Sequence, residues 1–129
     1  MKQLALLALV ALALGACAPS TQRPALRPVI TKVATYDAAN EPNGPAFARP
    51  GQAVIIQGRD LGGPSNSMVW FRADERGDGG VKNEADDIVS WTPSQIVVKI
   101  PVKAVPGGGF AVVEVGGVKS FGLPFSIAQ

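Results

Sequence analysis

The sequence predicts an all-β domain of the two-sheet sandwich type, on three observations. Beyond Pro28 no apolar period of 3.6 is sustained. Short runs rich in valine, isoleucine, phenylalanine and tryptophan recur instead, and turn-forming clusters punctuate them: Pro50-Gly51, Gly62-Gly63-Pro64, Asp78-Gly79-Gly80, Pro106-Gly107-Gly108-Gly109 and Gly116-Gly117. Within the runs the apolar residues alternate with period two. In 95–100, for example, Ile96, Val98 and Ile100 share one side while Gln95, Val97 and Lys99 share the other.

The first segment, 1–16, has a different character. A single charge at Lys2 precedes an apolar run over 4–14 and then small residues, which is the layout of a secretory signal peptide. A membrane-spanning helix needs about 20 apolar residues, and this run is too short to remain as one. The segment 17–28 follows, with prolines at 19, 24 and 28 and no apolar period; it reads as an extended tether reaching roughly 30 Å at about 3.1 Å per residue. The folded domain is expected over 29–129, long enough for one modest core without a metal or a disulfide.

Strands are predicted at 29–36, 52–57, 68–72, 87–91, 95–100, 110–115 and 119–127, a spacing that suits a sandwich with Greek-key connections. Alternation assigns Val54, Ile56, Val69, Phe71, Ile96, Val98, Ile100, Val113, Val115, Phe125 and Ile127 to the core. Pro101 suits a strand end and Pro124 an edge or bulge, since proline cannot donate to a ladder.

Charge and chemistry narrow the function. The net charge of +2 falls to +1 when the leader takes Lys2 with it, too little for nucleic acid as a main partner. Histidine is absent, which removes the commonest general base and the commonest metal ligand together. None of Ser65, Ser67, Ser90, Ser94, Ser120 and Ser126 therefore has a histidine to activate it, and the chain is not expected to be an enzyme. The segment 74–87 holds six of the ten acids, and Asp74, Asp78, Asp86 and Asp87 form its candidate calcium set. Their spacing departs from the alternate-position calcium loop, and Arg76 and Lys82 interrupt them, so a solvated connection is expected in preference to a metal site. Arg76-Gly77-Asp78 is too short a match to carry an adhesion reading. Alternation sends Ile55, Val97 and Val112 outward, joined by Trp70 and Phe110. If clustered, they make a docking patch for a protein or a stacking platform for sugar rings.

Two resemblances add to this. Leu14-Gly15-Ala16-Cys17 resembles the lipobox of bacterial lipoproteins. The resemblance implies cleavage between Ala16 and Cys17, diacylglycerol on the Cys17 thiol, and further acylation, such as by palmitate, at the new N-terminus. This covalent lipid is the only cofactor expected, and two or three acyl chains make a lasting anchor. The alternative is an ordinary cleaved signal with an incidental thiol, which then needs its own explanation. Ala18 and Pro19 follow the cysteine, and not the aspartate that resembles an inner-membrane retention signal, which favours the outer membrane.

The second resemblance covers 28–127. It rests on Pro28-Val29-Ile30, Pro50-Gly51 through Gly58 with Leu61-Gly62, and Val69-Trp70-Phe71. It continues with Trp91 ahead of Gln95-Ile96-Val97-Val98-Lys99-Ile100-Pro101, Val113-Glu114-Val115-Gly116-Gly117 with Ser120, and Phe125. This succession resembles the IPT/TIG domain, an immunoglobulin-like fold of the early-set type. It implies glycines at 58 and 62 where side chains are hindered, Trp91 plugging one end of the core, and a role in protein contacts or beside carbohydrate-active enzymes. The connections over 37–49 and 72–87 depart from the family. The expectation is thus a non-catalytic, lipid-anchored envelope module for protein binding or scaffolding, with a membrane contact through lipid and a protein partner. The alternative is an envelope glycan-binding module.

Overall fold

The computed structural model describes residues 26–36 and 46–129; the leader and Cys17 lie outside them. In chain order the strands are β1 (Val29–Thr35), β2 (Phe47–Ala48), β3 (Ala53–Arg59), β4 (Ser67–Ala73), β5 (Val81–Lys82), β6 (Ile88–Trp91), β7 (Gln95–Lys99), β8 (Phe110–Val115), β9 (Val118–Lys119), β10 (Leu123–Pro124) and β11 (Ser126–Ile127). A 3-10 turn, Ala85–Asp87, leads into β6. One sheet has the order β1-β3-β7-β6, and the second has β10-β8-β4-β5 with β9 also on β8. The chain crosses between sheets from β3 to β4, back from β5 to β6, and again from β7 to β8, giving an immunoglobulin-like sandwich. A parallel pair of β2 with β11 closes one side.

Alternation builds the core as expected. Val54 and Ile56 on β3 and Ile96 and Val98 on β7 face Val69 and Phe71 on β4 and Ala111 and Val113 on β8; all are buried. Phe125 closes the layer, its ring 6.0 Å from that of Phe71. Each such side chain contributes roughly 1.5–3 kcal/mol through burial. Trp91 packs against this core and donates its indole N–H to the Leu61 carbonyl at 2.8 Å, plugging one end. Two glycines make the approach of the chain segments feasible. A Cβ on Gly58 would collide with the Val29 carbonyl where β1 bulges, and one on Gly62, at φ +67, would lie 2.6 Å from Ser67 Oγ.

Three departures from the sequence reading have short segments in common. The run expected as one strand over 119–127 is broken into β9, β10 and β11, because Pro124 cannot donate and the chain moves from β8 to β2. The two-residue strands β2 and β5 arise inside connections read as loops, since two residues show no alternation.

The second sheet is finished at both sides by side chains. Val69 and Val113 are register partners at its centre. The Val69 N–H donates to Asn83 Oδ1 at 2.8 Å, and the Asn83 N–H returns to the Val69 carbonyl at 3.0 Å. On the other side, the Val113 N–H donates to Ser120 Oγ at 3.0 Å and the Ser120 N–H to the Val113 carbonyl at 2.8 Å. Both polar side chains are buried, each satisfying a buried N–H that no strand reaches. Ser120→Ala and Asn83→Ala should each lower unfolding free energy by about 1–3 kcal/mol in urea titrations, whereas exposed Ser65→Ala should stay within about 0.5 kcal/mol.

Candidate functional site

The outer face of the second sheet is where sequence-predicted residues meet unexpected ones. Trp70 on β4 and Val112 on β8 are register partners that point away from the core. The segment after β4 folds back over them. Its Asp74 N–H donates to the Asp78 carbonyl at 2.8 Å, and the Gly77 N–H to the Asp74 carbonyl at 3.0 Å. The Asp74 carboxylate accepts the N–H groups of Asp78 and Arg76, both at 2.9 Å. These bonds, that from Asp78 foremost, hold the Asp74 carboxyl below its ordinary range. The resulting turn presses the buried Gly77 onto Val112, so close that a Cβ there would lie 3.2 Å from Val112 Cγ1. Lys119 on β9 locks the arrangement. Its Nζ donates to the Gly77 carbonyl at 2.7 Å and stands 5.3 Å from the Trp70 ring centre and 4.0 Å from Glu114.

This turn brings Arg76 to the rim of a cleft of about 440 Å³ that Arg27, Lys119 and Phe121 also line. Among the described residues, three cations and no acid line it. Phe121 is 71% exposed, and the Arg27 guanidinium lies 4.5 Å over its ring, in the range of a cation–π contact.

A second cleft, about 330 Å³, lies where β4 bulges. Arg72 takes φ +59 there, a conformation unusual for a side chain of its size. The bulge is gripped on both sides, since a Cβ on Gly109 would lie 2.7 Å from Arg72 Cα and one on Gly80 would collide with the Phe71 carbonyl. The guanidinium crosses to the loop between β7 and β8 and donates to the Val105 carbonyl at 3.3 Å. Lys103, also on the cleft, pairs with Glu84 at 2.8 Å, which raises the lysine's pKa and lowers the glutamate's. Val105 lines the cleft and is 63% exposed, and Val102, one residue before Lys103, is 84% exposed.

The sequence-predicted residues are dispersed. Ile55 and Val97 sit with Ala34 in one row on the outer face of the first sheet, and each is only 5% exposed. Trp70, Val112 and Phe110 belong to the other sheet. Val112 is fully buried under the Gly77 turn, Trp70 is half-buried beside Lys119, and Phe110 lies against Gly122. The five therefore form no continuous exposed patch, because period two gives a side chain's face but not what folds over that face. The indole N–H of Trp70 is buried without a partner among the described residues.

Asp74 and Asp78 shape the covering turn. Asp87 accepts the Glu84 N–H at 2.8 Å in a capping box, and Asp86 is exposed. No group of three or more acids, histidines or cysteines able to hold a metal occurs among the described residues. Cys17 and Ala16 lie outside those residues. Arg72, Lys103, Lys119 and Phe121 went unmarked in the sequence, and Arg76 stood out there only as an interruption of the acidic segment and in the Arg76-Gly77-Asp78 match. Strict alternation over 119–127 would put Phe121 on the core side with Phe125, and the break after Lys119 is what releases it.

No family model matches the chain. It is 42% identical over 65 residues to a cyclomaltodextrin glucanotransferase of Bacillus sp. (strain 1011), and 40% identical over 67 residues to one of Niallia circulans. These alignments take in 50% and 52% of this chain but only 8% of each relative. Among solved structures, a protein of unknown function from Bacteroides thetaiotaomicron superposes over 84% of this chain and 24% of its own, with TM-score 0.59 and 18% identity. A structure with xylogluco-oligosaccharide matches 81% of this chain and 20% of its own at TM-score 0.54 and 16% identity. A putative bacterial DNA binding protein from Bacteroides vulgatus matches 84% and 50% at 0.55 and 17%. These likenesses place the chain among immunoglobulin-like sandwiches.

The Asp74 turn carries a pH prediction. Its folded carboxyl titrates below the ordinary value of 3.8, so the ordering it contributes is complete above that pH and is lost as pH falls through the lower folded value. The Arg76 and Asp78 amide resonances should hold steady from neutral pH down to that point and then shift together. In Asp74→Ala they should already be displaced at neutral pH.

Proposed function

We propose that this chain is a non-catalytic module of the cell envelope, fixed to a membrane through lipid on Cys17, that binds a protein partner belonging to carbohydrate-handling machinery. The sequence likeness to a glucanotransferase carries this reading. A stretch amounting to 8% of that much larger chain is a module serving beside others, and the identity of 42% is well above that of any structural likeness described above. Within immunoglobulin-like folds the chain is assigned to the IPT/TIG type. The roles of Gly58, Gly62 and Trp91 in the sandwich support that assignment. The lipobox supports the anchor, and Ala18 and Pro19 support the outer membrane.

The partner's contact is assigned to the Arg72 cleft. Exposed Val105 offers apolar area beside a guanidinium whose bulged backbone is fixed in advance, exposed Val102 follows the same loop, and arginine beside apolar surface is a composition that interfaces favour. A second reading, direct glycan binding, is favoured by one observation: Phe121 leaves an aromatic ring exposed at the other cleft. Trp70 is less suited to that role, since Lys119 stands over its ring.

A photo-crosslinking residue at position 105, followed by purification from detergent-solubilised membranes, should trap one envelope protein in near-stoichiometric yield. Val102→Asp with Val105→Asp should abolish that product. Recovery of the lipoprotein alone counts against the reading. Retention on insoluble glucan that Phe121→Ala removes would support the glycan alternative in its place. Cys17→Ser should release the chain from membranes washed at high salt, whereas the lipidated protein should stay with them.

A further inference from the structure

We infer that the cleft formed by Arg27, Arg76, Lys119 and Phe121 is a second membrane contact, which docks the sandwich onto the anionic phosphate groups of a phospholipid surface. The inference rests on the lipid-anchored reading of Cys17 and adds to it an orientation of the domain. Three observations lead to it.

The first is composition. Among the described residues lining the cleft are three cations and no acid, with the ring of Phe121 at the rim. Leu26, 70% exposed, neighbours Arg27 in the chain. Exposed leucine and phenylalanine among arginine and lysine is the make-up of surfaces that seat apolar groups at the headgroup boundary while cations meet phosphate.

The second observation is charge accounting around the cleft. Lys119 is committed in part to the Gly77 carbonyl and to Glu114 at 4.0 Å. Asp74, two residues before Arg76, turns its carboxylate to the Asp78 and Arg76 N–H groups; of what lowers the Asp74 pKa, the Asp78 N–H bond is the largest part and the Arg76 charge the last and smallest. Glu75 bonds through its backbone carbonyl to the Gly122 N–H, and its side chain has no ion pair among the described residues. Arg27 contacts the Phe121 ring, and neither it nor Arg76 has a salt bridge among the described residues, so both guanidinium groups retain donors for phosphate oxygens.

The third is position in the chain. Arg27 stands two residues before β1 and ten after Cys17, a reach of about 31 Å at the roughly 3.1 Å per residue of a proline-rich linker. The cleft is thus at the end of the domain where the tether enters. An anchor at Cys17 delivers this face to the lipid at high effective concentration, so that weak phosphate contacts suffice to set the orientation.

The test uses the polypeptide from residue 17 onward carrying Cys17→Ser, so that no acyl chain contributes. Flotation is measured with vesicles of phosphatidylcholine alone and of phosphatidylcholine mixed with phosphatidylglycerol, at about 0.1 M salt. Binding should be at least about tenfold stronger to the anionic vesicles and should fall as salt rises. Arg27→Glu with Arg76→Glu should weaken it roughly 25-fold or more, at about fivefold per cation removed, while Arg59→Glu with Lys99→Glu, both exposed and on the first sheet, should have far less effect. Phe121→Ser should weaken it further at constant charge. Equal binding to the two vesicle types, no binding to either, or indifference to the Arg27 and Arg76 reversals would overturn the proposal, as would preference for soluble polygalacturonate over anionic vesicles. Failure here leaves lipid on Cys17 intact, because wild-type protein would still partition with membranes; loss of the lipid reading would leave the vesicle result standing.

Discussion

Two rows of inward side chains meeting between the sheets are the constraint on which the other features depend. Val54, Ile56, Ile96 and Val98 on one side and Val69, Phe71, Ala111 and Val113 on the other leave the backbone of each strand one acceptable register, because a slip of one residue would expose every member of its row. Once β4 and β8 are fixed in this way, their central pair Val69 and Val113 needs hydrogen-bond partners on both flanks. Asn83 and Ser120 supply them with side chains. The apolar core thus dictates the polar frame around it, and truncating Phe71 to alanine would cost about 3–5 kcal/mol by opening a cavity between the rows.

The same registration places the surface chemistry. With Trp70 and Val112 forced outward, an apolar strip is left on the second sheet, and the turn anchored by Asp74 covers it. Covering it carries Arg76 to one side of the sheet. Just before that turn β4 itself bulges at Arg72, wedged between Gly80 and Gly109, and sends its guanidinium to the other cleft. Both clefts are therefore consequences of how one strand, β4, ends. An acidic, glycine-rich connection has a packing role that its composition alone did not reveal.

How much was legible follows from the range of each interaction. Period two reports a local property, and it located the long strands and the inward faces, including Phe125 and Ile127, correctly. The glycines at 58 and 62 and the plug Trp91 were legible through a recurring pattern of residues. Contacts between distant segments were not. Nothing in Asp74 to Asp78 signals that Gly77 will rest on Val112, and nothing near Phe121 signals that the strand breaks after Lys119. The outward set of Ile55, Val97, Val112, Trp70 and Phe110 failed as a patch for this reason. Its members have the right parity, yet they are divided between two sheets and three of them are covered.

The central claim is that this sandwich works while fixed by lipid at Cys17, and the chemical state of that residue tests it most directly. Intact-mass and fragment analysis of the protein extracted from its native membranes should find a chain beginning at Cys17, with diacylglycerol on the thiol and an acyl chain on the new amino group. A free Cys17 thiol, or an N-terminus at any other residue, would contradict the account.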